Sequence, residues 1–444
     1  MFDETSPQKI LYELFGLTPN HPYWEIESAV PNILEPLSQI GLRVDEGALA
    51  NAIADAKQKL DAVKNQIQAL SGPNIEFSST EQLRQYLFED QQLTPLLLTP
   101  TGQPSVSVHV LDKYADKPVV VAISQWRSLR ATLSYLIAFW DSVLNHRVKT
   151  EFVHWKCPTG RIYTKNFNIQ QIPVDGRDCI VPDDGKTFVY LDYKQQEMRI
   201  LLSLAEETSA YPQIMDGVDI HSLVISRMLD IPIEAVTKDQ REIGKMLSYA
   251  MCYGMSVHSL AFKLNISIEK ASSLMRQYFE TYPKVTEWLS RQRQYAKEHK
   301  CIVSYFGYKR DLAKEFVKDY RTAYRMSVNT PIQSASATIL KKAIWNLSQL
   351  ANKGIELTCA IVHDSILLQV DKDADREQVE KDIRNATEFQ FPGWLPLQVE
   401  VGWGQSWAEA SKKLPENDFS TVSRPSEKNL SFLAEMQPYL DLTA

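Results

Sequence analysis

The sequence predicts an α+β protein, with β-rich segments in two regions of the chain and a long helical region between them. Residues 186–192 are typical of a buried strand that ends on an aspartate. Residues 357–362 and 365–370 are two further β-rich runs, and the two residues between them suit a tight hairpin. Residues 397–401 alternate as one more strand, whereas residues 215–320 have mainly helical periodicity.

One long amphipathic helix of roughly six or seven turns is predicted from an apolar pattern that runs from Leu49 to Leu70. Asp45 is a plausible N-cap, and Ser71-Gly72-Pro73 is a plausible stop. A coiled-coil arm or bundle helix is one interpretation, and a helix that follows a nucleic-acid backbone is the other. The apolar stripe consists of Leu49, Ile53, Ala56, Leu60, Val63, Ile67 and Leu70.

The composition is that of an ordinary globular protein large enough for two or three domains, with 444 residues, 44% hydrophobic and 23% charged. No run of 18 or more apolar residues is present, and the N-terminus lacks the features of a signal peptide. The five cysteines form no CxxC pair, which predicts reduced thiols and a cytoplasmic location rather than a zinc site. The net charge of -7 argues mildly against nucleic-acid binding, but it sums over all faces and does not exclude it.

Asp192 and Asp364 are candidate metal ligands, because each lies where a predicted strand ends. If the strand end and the hairpin tip are neighbours in one sheet, the two carboxylates can bridge two Mg²⁺ ions about 4 Å apart. The backbone carbonyl of Tyr193 would complete the ligand set. Such a site serves phosphoryl transfer, which needs in-line positioning and charge neutralisation. Taken singly, Asp192 is more typical of a helix-capping residue at a strand end, and Asp364 of an ordinary turn residue.

Arg241, Lys245, Tyr249 and Tyr253 recur every four residues, so on a helix they form one slanted ridge about three turns long. Two cations suit the β- and γ-phosphates of a nucleotide, and two aromatic rings suit its sugar and base. Gly254 ends the ridge without a side chain, where a template base would pass. The alternative is a solvated cationic turn that leads into an apolar core stripe.

The segments that carry these residues resemble motifs A, B and C of the family A DNA polymerases, the group of bacterial DNA polymerase I. The resemblance covers about residues 36–410 and implies a right-hand polymerase fold with an antiparallel palm sheet, helical fingers and a helical thumb. It implies a template-directed DNA polymerase that adds dNTPs to a primer 3′-OH. The matching segments are Tyr190-Leu-Asp192-Tyr-Lys-Gln-Gln-Glu197-Met-Arg199, Arg241-x3-Lys245-x3-Tyr249-x3-Tyr253-Gly254 and Val362-His363-Asp364.

The resemblance also implies domain limits, and it leaves no room for a proofreading exonuclease before the thumb. The enzyme is therefore expected to lack proofreading. The implied parts are an N-terminal extension (1–35), the thumb (36–130), a first part of the palm with motif A (131–214), the fingers with motif B (215–320), a second part of the palm with motif C (321–412) and a flexible C-terminal tail (413–444).

By resemblance, Arg241 and Lys245 would bind the triphosphate, and Lys245 would also donate a proton to the leaving pyrophosphate, as a catalytic residue beside the two aspartates. Tyr249 would pack against the sugar, where its hydroxyl can replace a missing 3′-OH, so dideoxynucleotides should be accepted readily. Glu197 would be a steric gate that closes the space of a 2′-OH. The full set of implied nucleotide-binding residues is Gln195, Glu197, His221, Arg241, Lys245, Tyr249 and Tyr253.

The same resemblance implies contacts with primer and template. Arg and amide side chains in the minor groove can check the geometry of a base pair without reading its sequence. Several positions depart from the family pattern. Ser365 stands where most members have an accessory glutamate. The loss of that glutamate would weaken metal or primer-end positioning without abolishing chemistry. Tyr163-Thr164 replaces small serines, and Gln171 replaces an asparagine. The implied DNA contacts are Arg161, Asn168, Gln170, Arg325, Asn329, Gln333 and His363.

The expected cofactors are two Mg²⁺ ions, with Mn²⁺ as a substitute, and the expected partners are primer-template DNA and dNTPs. A nucleoid-associated monomer is expected, and residues 437–442 vaguely resemble a sliding-clamp peptide. A single-subunit RNA polymerase is a related alternative, but Glu197 and the minor-groove element favour DNA. A catalytically silent DNA-binding or scaffold protein is the alternative from another class, favoured only by Ser365 and the acidic net charge. Repair, lesion bypass and plasmid or phage replication all remain open.

Overall fold

The computed structural model describes residues 24–71, 77–99, 101–114 and 116–412. The chain divides into two compact units. The sheet unit contains, of the described residues, 24–41, 150–170 and 182–412, and the helical unit contains 42–149 and 171–181. In the part of the chain that is described, no helix is long and apolar enough to cross a membrane.

The strands are short except for four that form one sheet. They are β1 (Leu42–Arg43), β2 (Val143–Leu144), β3 (Arg147–Val148), β4 (Glu151–Val153), β5 (Tyr163–Lys165), β6 (Lys186–Tyr193), β7 (Cys301–Val303), β8 (Lys309–Asp311), β9 (Glu356–Val362), β10 (Ser365–Asp371) and β11 (Val399–Gly404).

The helices make up most of both units. They are α1 (Trp24–Ile40), α2 (Glu46–Ser71), α3 (Thr80–Arg84), α4 (Val108–Leu111), α5 (Pro118–Asp141), α6 (Val174–Arg177), α7 (Gln196–Leu204), α8 (Tyr211–Met215), α9 (Ile220–Leu229), α10 (Lys238–Cys252), α11 (Val257–Leu264), α12 (Ile268–Thr281), α13 (Pro283–His299), α14 (Ala313–Lys318), α15 (Tyr320–Ser348), α16 (Arg376–Thr387) and α17 (Trp407–Ser411).

The main sheet of the sheet unit is antiparallel, with the strand order β11-β6-β10-β9. Strand β6 is central and buried along almost its whole length, as expected for a run of apolar residues covered on both faces. The hairpin of β9 and β10 has only two residues at its tip, as predicted. Mixed sheet and helix confirm the predicted α+β class. The predicted strand near residue 397 begins at Val399, because Leu397 instead bridges Phe389.

Helix α2 dominates the helical unit and confirms the helix predicted from the apolar stripe. One Asp45 carboxylate oxygen accepts a hydrogen bond from the Ala48 amide at 2.9 Å, which is the predicted N-cap. Leu49, Val63 and Ile67 are buried, and α2 packs along α5. The packing is that of a bundle helix, and the interpretation of α2 as a helix that follows a nucleic-acid backbone stays a prediction.

Helix α1 was not predicted, because Pro31 and Pro36 lie inside it and remove two backbone donors. Its stability comes from packing against α15 and β9. The Glu27 carboxylate on α1 accepts hydrogen bonds from the Lys341 ammonium on α15 at 2.6 and 2.8 Å, and both side chains are buried. This paired charge fixes α1 in the sheet unit.

The domain limits implied by the resemblance stay predictions. Helix α5 continues across residue 130, and the first part of the helical unit ends at residue 149. The proposed clamp-binding segment at residues 437–442 and the rest of the predicted tail lie outside the described residues.

Candidate active site

The two candidate metal ligands lie at the same end of the sheet, on neighbouring strands. Asp192 on β6 is directly opposite Ser365 on β10, so Asp364 is one residue beyond the pair. The Tyr193 amide donates to the Asp364 carbonyl at 3.4 Å. The Tyr193 hydroxyl donates to the Thr387 carbonyl of α16, so the Asp192 side chain lies on the opposite face of the sheet.

Burial makes Asp364 reluctant to ionise. Its carboxylate is half-buried, and burial together with the nearby negative charge of Glu197 raises its pKa to about 6. Arg161 acts in the opposite direction but does not cancel these effects. A divalent cation beside Asp364 would favour the ionised form, as any nearby positive charge does.

The donor set fits magnesium rather than a metal held by protein alone. Within the described ranges, no group of three or more His, Cys, Asp or Glu side chains is arranged to hold a metal ion. Mg²⁺ is commonly bound by one or two carboxylates, with water and substrate phosphates as the remaining ligands. Asp192, Asp364 and the carbonyl of Tyr193 would meet that requirement when a nucleotide is present.

The hairpin tip is formed by His363 and Asp364. His363 has a φ of 55° and an exposed side chain, which suits a residue type that tolerates the left-handed region. Ser365 is buried, and its hydroxyl donates to the Val362 carbonyl at 2.8 Å. The Ser365 side chain thus bonds back to the other strand of its own hairpin.

Helix α10 carries the predicted cationic and aromatic ridge. It begins with a capping box, in which the Thr237 hydroxyl accepts from the Gln240 amide and the Gln240 side chain accepts from the Thr237 amide. Gly244 lies against α9, where a Cβ atom would be 2.2 Å from the His221 carbonyl oxygen. A glycine is therefore required for the close approach of α9 and α10.

Arg241, at the start of the ridge, forms a two-point ion pair with Asp219. Its Nε and Nη2 atoms donate to the two carboxylate oxygens at 3.0 and 2.9 Å. Gln195 also turns to Asp219, because its amide nitrogen donates to the Asp219 Oδ2 atom at 2.6 Å. Lys245, one turn after Arg241, is buried. The structure thus brings Gln195, Arg241 and Lys245 into one region.

His221 is buried beneath the ridge. Its Nδ1 atom is 3.1 Å from the Ser248 hydroxyl, and its ring centre is 5.6 Å from that of Tyr249. Burial lowers the pKa of His221 to about 4, with Arg241 and Lys245 acting in the same direction and Asp219 against it. The imidazole is therefore neutral at pH 7.

Glu197 is held between two donors. Its Oε1 atom accepts from Arg161 Nη2 at 2.5 Å, and its Oε2 atom accepts from the Tyr253 hydroxyl at 2.6 Å. The carboxylate is 6% exposed, so each bond is made largely out of water. Burial and the charge of Glu197 raise the pKa of Tyr253, which keeps the phenol protonated as a donor. The Tyr249 ring lies beside that of Tyr253, with ring centres 6.3 Å apart and the planes tilted by 34°.

The residues of the predicted minor-groove element make internal contacts. The Asn168 side-chain oxygen accepts from the Thr164 hydroxyl at 2.9 Å and from the Gln170 amide at 3.2 Å. The Gln170 side chain donates to the carbonyls of Ile162 and Ile361 at 3.2 and 3.0 Å. Gln170 therefore ties this element to strand β9.

Three further predicted DNA contacts lie along α15, whereas His363 lies at the hairpin tip. Arg325 is exposed, Gln333 is half-buried, and the Asn329 amide approaches the Cys252 carbonyl at 3.5 Å. Gly254 has a φ of 59°, and a Cβ atom there would lie 2.9 Å from the Val328 side chain. The end of α10 thus passes directly over the first half of α15.

Asp219 and Gly244 are the residues of this region that sequence reasoning did not use. Asp219 precedes the apolar run of α9 and accepts from the Ser222 amide, so an N-cap signal was present. Its pairing with Arg241, 22 positions away, had no such signal.

Comparison with known proteins identifies the relatives of this chain. The model of DNA polymerase family A matches residues 46–409. A thermostable DNA polymerase I of Thermus caldophilus is 30% identical over 403 residues, which are 87% of this chain and 48% of that protein. DNA polymerase I of Pseudomonas aeruginosa is 28% identical over 402 residues, which are 87% of this chain and 44% of that protein. The chain spans about half the length of these relatives.

A solved structure has the same architecture. The POL domain of Pol1 from M. smegmatis, in complex with DNA primer-template and dNTP, superposes with a TM-score of 0.81. The sequence identity is 27%, and the match covers 86% of this chain and 70% of that one. The predicted right-hand polymerase fold is thereby confirmed.

Proposed function

The chain belongs to DNA polymerase family A, and on that premise we propose that it adds dNTPs to the 3′-OH of a primer as a DNA template directs. The observation that supports this most strongly is the position of Asp192 and Asp364 on neighbouring strands of one sheet. Helix α10, with its cations and tyrosines, belongs to the same unit. The matched relatives carry the name DNA polymerase I, and the matched structure holds primer-template and dNTP.

In the proposed reaction, Asp192, Asp364 and the Tyr193 carbonyl would hold two Mg²⁺ ions, or Mn²⁺ in their place. Bound there, the ions would supply charge neutralisation for both the attacking and the leaving oxygen. Arg241 and Lys245 grip the triphosphate, and Lys245 donates a proton to the departing pyrophosphate. His221 is neutral, so it contributes a hydrogen bond rather than a charge near the phosphates.

The choice of sugar is assigned to Glu197. Its carboxylate is held by Arg161 and Tyr253 and buried, so it cannot swing aside to admit a 2′-OH without breaking two charge-assisted bonds. A gate fixed in this way would favour dNTP over NTP, and the held carboxylate thus supports a DNA polymerase over the RNA polymerase alternative. Tyr249 in turn supports ready use of dideoxynucleotides, and a strong preference for dNTP over ddNTP in competition would contradict its role.

The proposed DNA contacts remain those of the resemblance, with one change of emphasis. Arg325 is exposed and suited to a phosphate or base edge. Gln170 is already bonded to two backbone carbonyls, so its contribution to DNA binding is to shape the element that carries Arg161.

Primer extension on templates of different sequence tests the proposal. The chain should extend a labelled primer with dNTPs in the order that the template dictates, much faster than with NTPs, and only with a divalent metal. A chain that binds primer-template but extends it with neither Mg²⁺ nor Mn²⁺ would support the binding-protein alternative. The mismatched 3′ nucleotide of a labelled primer should not be excised. This result would test the predicted lack of proofreading in these 444 residues.

A further inference from the structure

We infer that Asp219 is a positioning residue for Arg241, and that it couples the phosphate-binding helix to the turn that follows the metal-site strand. This inference rests on the proposed function, because it concerns how Arg241 meets a triphosphate.

The Asp219 carboxylate makes more hydrogen bonds than a helix cap requires. The Oδ1 atom accepts from the Ser222 amide at 2.8 Å and the Ser222 hydroxyl at 2.9 Å, which caps α9. The same atom accepts from Arg241 Nε at 3.0 Å. The Oδ2 atom accepts from Arg241 Nη2 at 2.9 Å and from Gln195 Nε2 at 2.6 Å. One carboxylate therefore holds groups from three separate elements.

The two-point bond fixes the plane of the Arg241 guanidinium. A carboxylate that binds Nε and Nη2 occupies one edge of the group and leaves the edge of Nη1 and Nη2 to face another acceptor. Glu242 lies on that second edge, 3.3 Å from Nη1, but its side chain is 36% exposed and can turn into solvent. Once Glu242 turns away, the edge of Nη1 and Nη2 matches two oxygens of a phosphate.

Gln195 brings the metal-site strand into the same arrangement. It lies between β6 and α7 with a φ of 47°, in the left-handed region. Its side-chain nitrogen donates to Asp219, and its side-chain oxygen accepts from the Ile220 amide at 3.3 Å. The turn that follows Asp192 and Tyr193 is thereby bonded to the start of α9, and through Asp219 to α10.

The negative charge of Asp219 opposes a triphosphate, so the two effects of this residue have opposite signs. A fixed guanidinium loses less side-chain freedom when it binds phosphate, which raises affinity. A guanidinium whose charge is neutralised by Asp219 attracts phosphate less, which lowers the affinity for the triphosphate. The fixed position should prevail, because Asp219 is itself held by Ser222 and Gln195 and cannot follow Arg241 away from its site.

The decisive variant is Asp219→Asn, since asparagine caps a helix as well as aspartate but cannot accept from both Arg241 and Gln195. Equilibrium binding of Mg²⁺–dNTP would be measured on a primer ended by a dideoxynucleotide, so that no chemistry follows. We expect the dissociation constant to rise about tenfold with an almost unchanged melting temperature. The matched control is Asp216→Asn, the same change at an exposed position three residues earlier, which should bind like the wild type.

A double-mutant cycle with Arg241→Lys separates positioning from capping, because lysine keeps the charge and loses the fork. The loss of dNTP affinity caused by Asp219→Asn should largely disappear in the Arg241→Lys background. Equal weakening in both backgrounds, or binding by Asp219→Asn as tight as that of the wild type, would overturn the inference. If Asp219→Asn fails to fold, wild-type affinity in Arg241→Lys alone would overturn it. A wild-type chain that binds no dNTP would contradict the proposed function as well, whereas normal wild-type binding confines any failure to Asp219.

Discussion

Gly244 determines how closely α10 approaches α9, and Gly244→Ala should test that packing. A Cβ atom at this position would lie 2.2 Å from the His221 carbonyl oxygen and 2.9 Å from the Ile225 side chain. The nearest atom belongs to the backbone of α9, so it cannot move away by a change of rotamer. Helices α9 and α10 must therefore separate by about 1 Å to restore an ordinary contact.

The size of the effect follows from two opposing terms. Alanine favours a helix interior over glycine by about 1 kcal/mol, whereas overpacking a buried contact costs about 1–3 kcal/mol and sometimes more. The free energy of unfolding should therefore fall by up to about 2 kcal/mol. A shift of about 1 Å in Arg241 and Lys245 should also lower kcat/KM for dNTP by about 100-fold, since misplacement of that size disturbs the reacting geometry.

Urea denaturation and single-nucleotide incorporation would measure both effects. Gly47→Ala is the matched control, because Gly47 is also helical and meets only the Asp45 carboxylate, at 3.3 Å. That control should keep wild-type activity. A Gly244→Ala protein with the free energy of unfolding of the wild type, and with kcat/KM within about twofold of the wild-type value, would refute the packing argument.

Three further predictions concern the buried charges of the sheet unit. Tyr253→Phe removes a donor to Glu197 worth about 1.5–3 kcal/mol, so NTP use relative to dNTP should rise about tenfold in competition; an unchanged ratio would argue against a held gate. Lys341→Met leaves the Glu27 carboxylate buried and unpaired, so the free energy of unfolding should fall by about 3–5 kcal/mol, and adding Glu27→Gln should restore most of it in urea denaturation. The pKa of Asp364 is about 6 in the folded chain and about 4 in the unfolded chain. The free energy of unfolding should therefore fall as pH rises between these values, because the unfolded chain ionises more readily. Without metal, the free energy of unfolding of Asp364→Asn should exceed that of the wild type by about 1–3 kcal/mol above pH 7, and the two values should match near pH 4 in thermal denaturation. A difference that does not change with pH would contradict the raised pKa of Asp364.

Local signals were sufficient for the elements that depend on neighbouring residues. Asp45 and the apolar stripe predicted α2, and the spacing of the two β-rich runs predicted the hairpin that carries Asp364. The four-residue steps from Arg241 to Tyr253 predicted a common ridge, and the helix extends to Cys252 with Tyr253 as its C-cap.

Long-range contacts had no comparable signal in the sequence. Helix α1 contains Pro31 and Pro36, and its support from Lys341 comes from a residue more than 300 positions away. Gln170 matched a DNA-contact pattern, but its side chain is bonded to the backbone of Ile361. The partner of Arg241 could not be predicted either, because a fork between an arginine and Asp219 depends on how α9 and α10 pack.

Single-nucleotide incorporation by Asp364→Ala, compared with Asp371→Ala at the other end of β10, tests the central claim most directly. Asp371 is exposed and paired with Lys186, so its removal changes the same charge on the same strand away from the candidate site. The wild type and Asp371→Ala should add the templated dNTP with Mg²⁺, and Asp364→Ala should add it at least about 10³-fold more slowly. Equal rates for the two variants, or a wild type that adds no nucleotide with either Mg²⁺ or Mn²⁺, would contradict the assignment of a polymerase active site to Asp192 and Asp364.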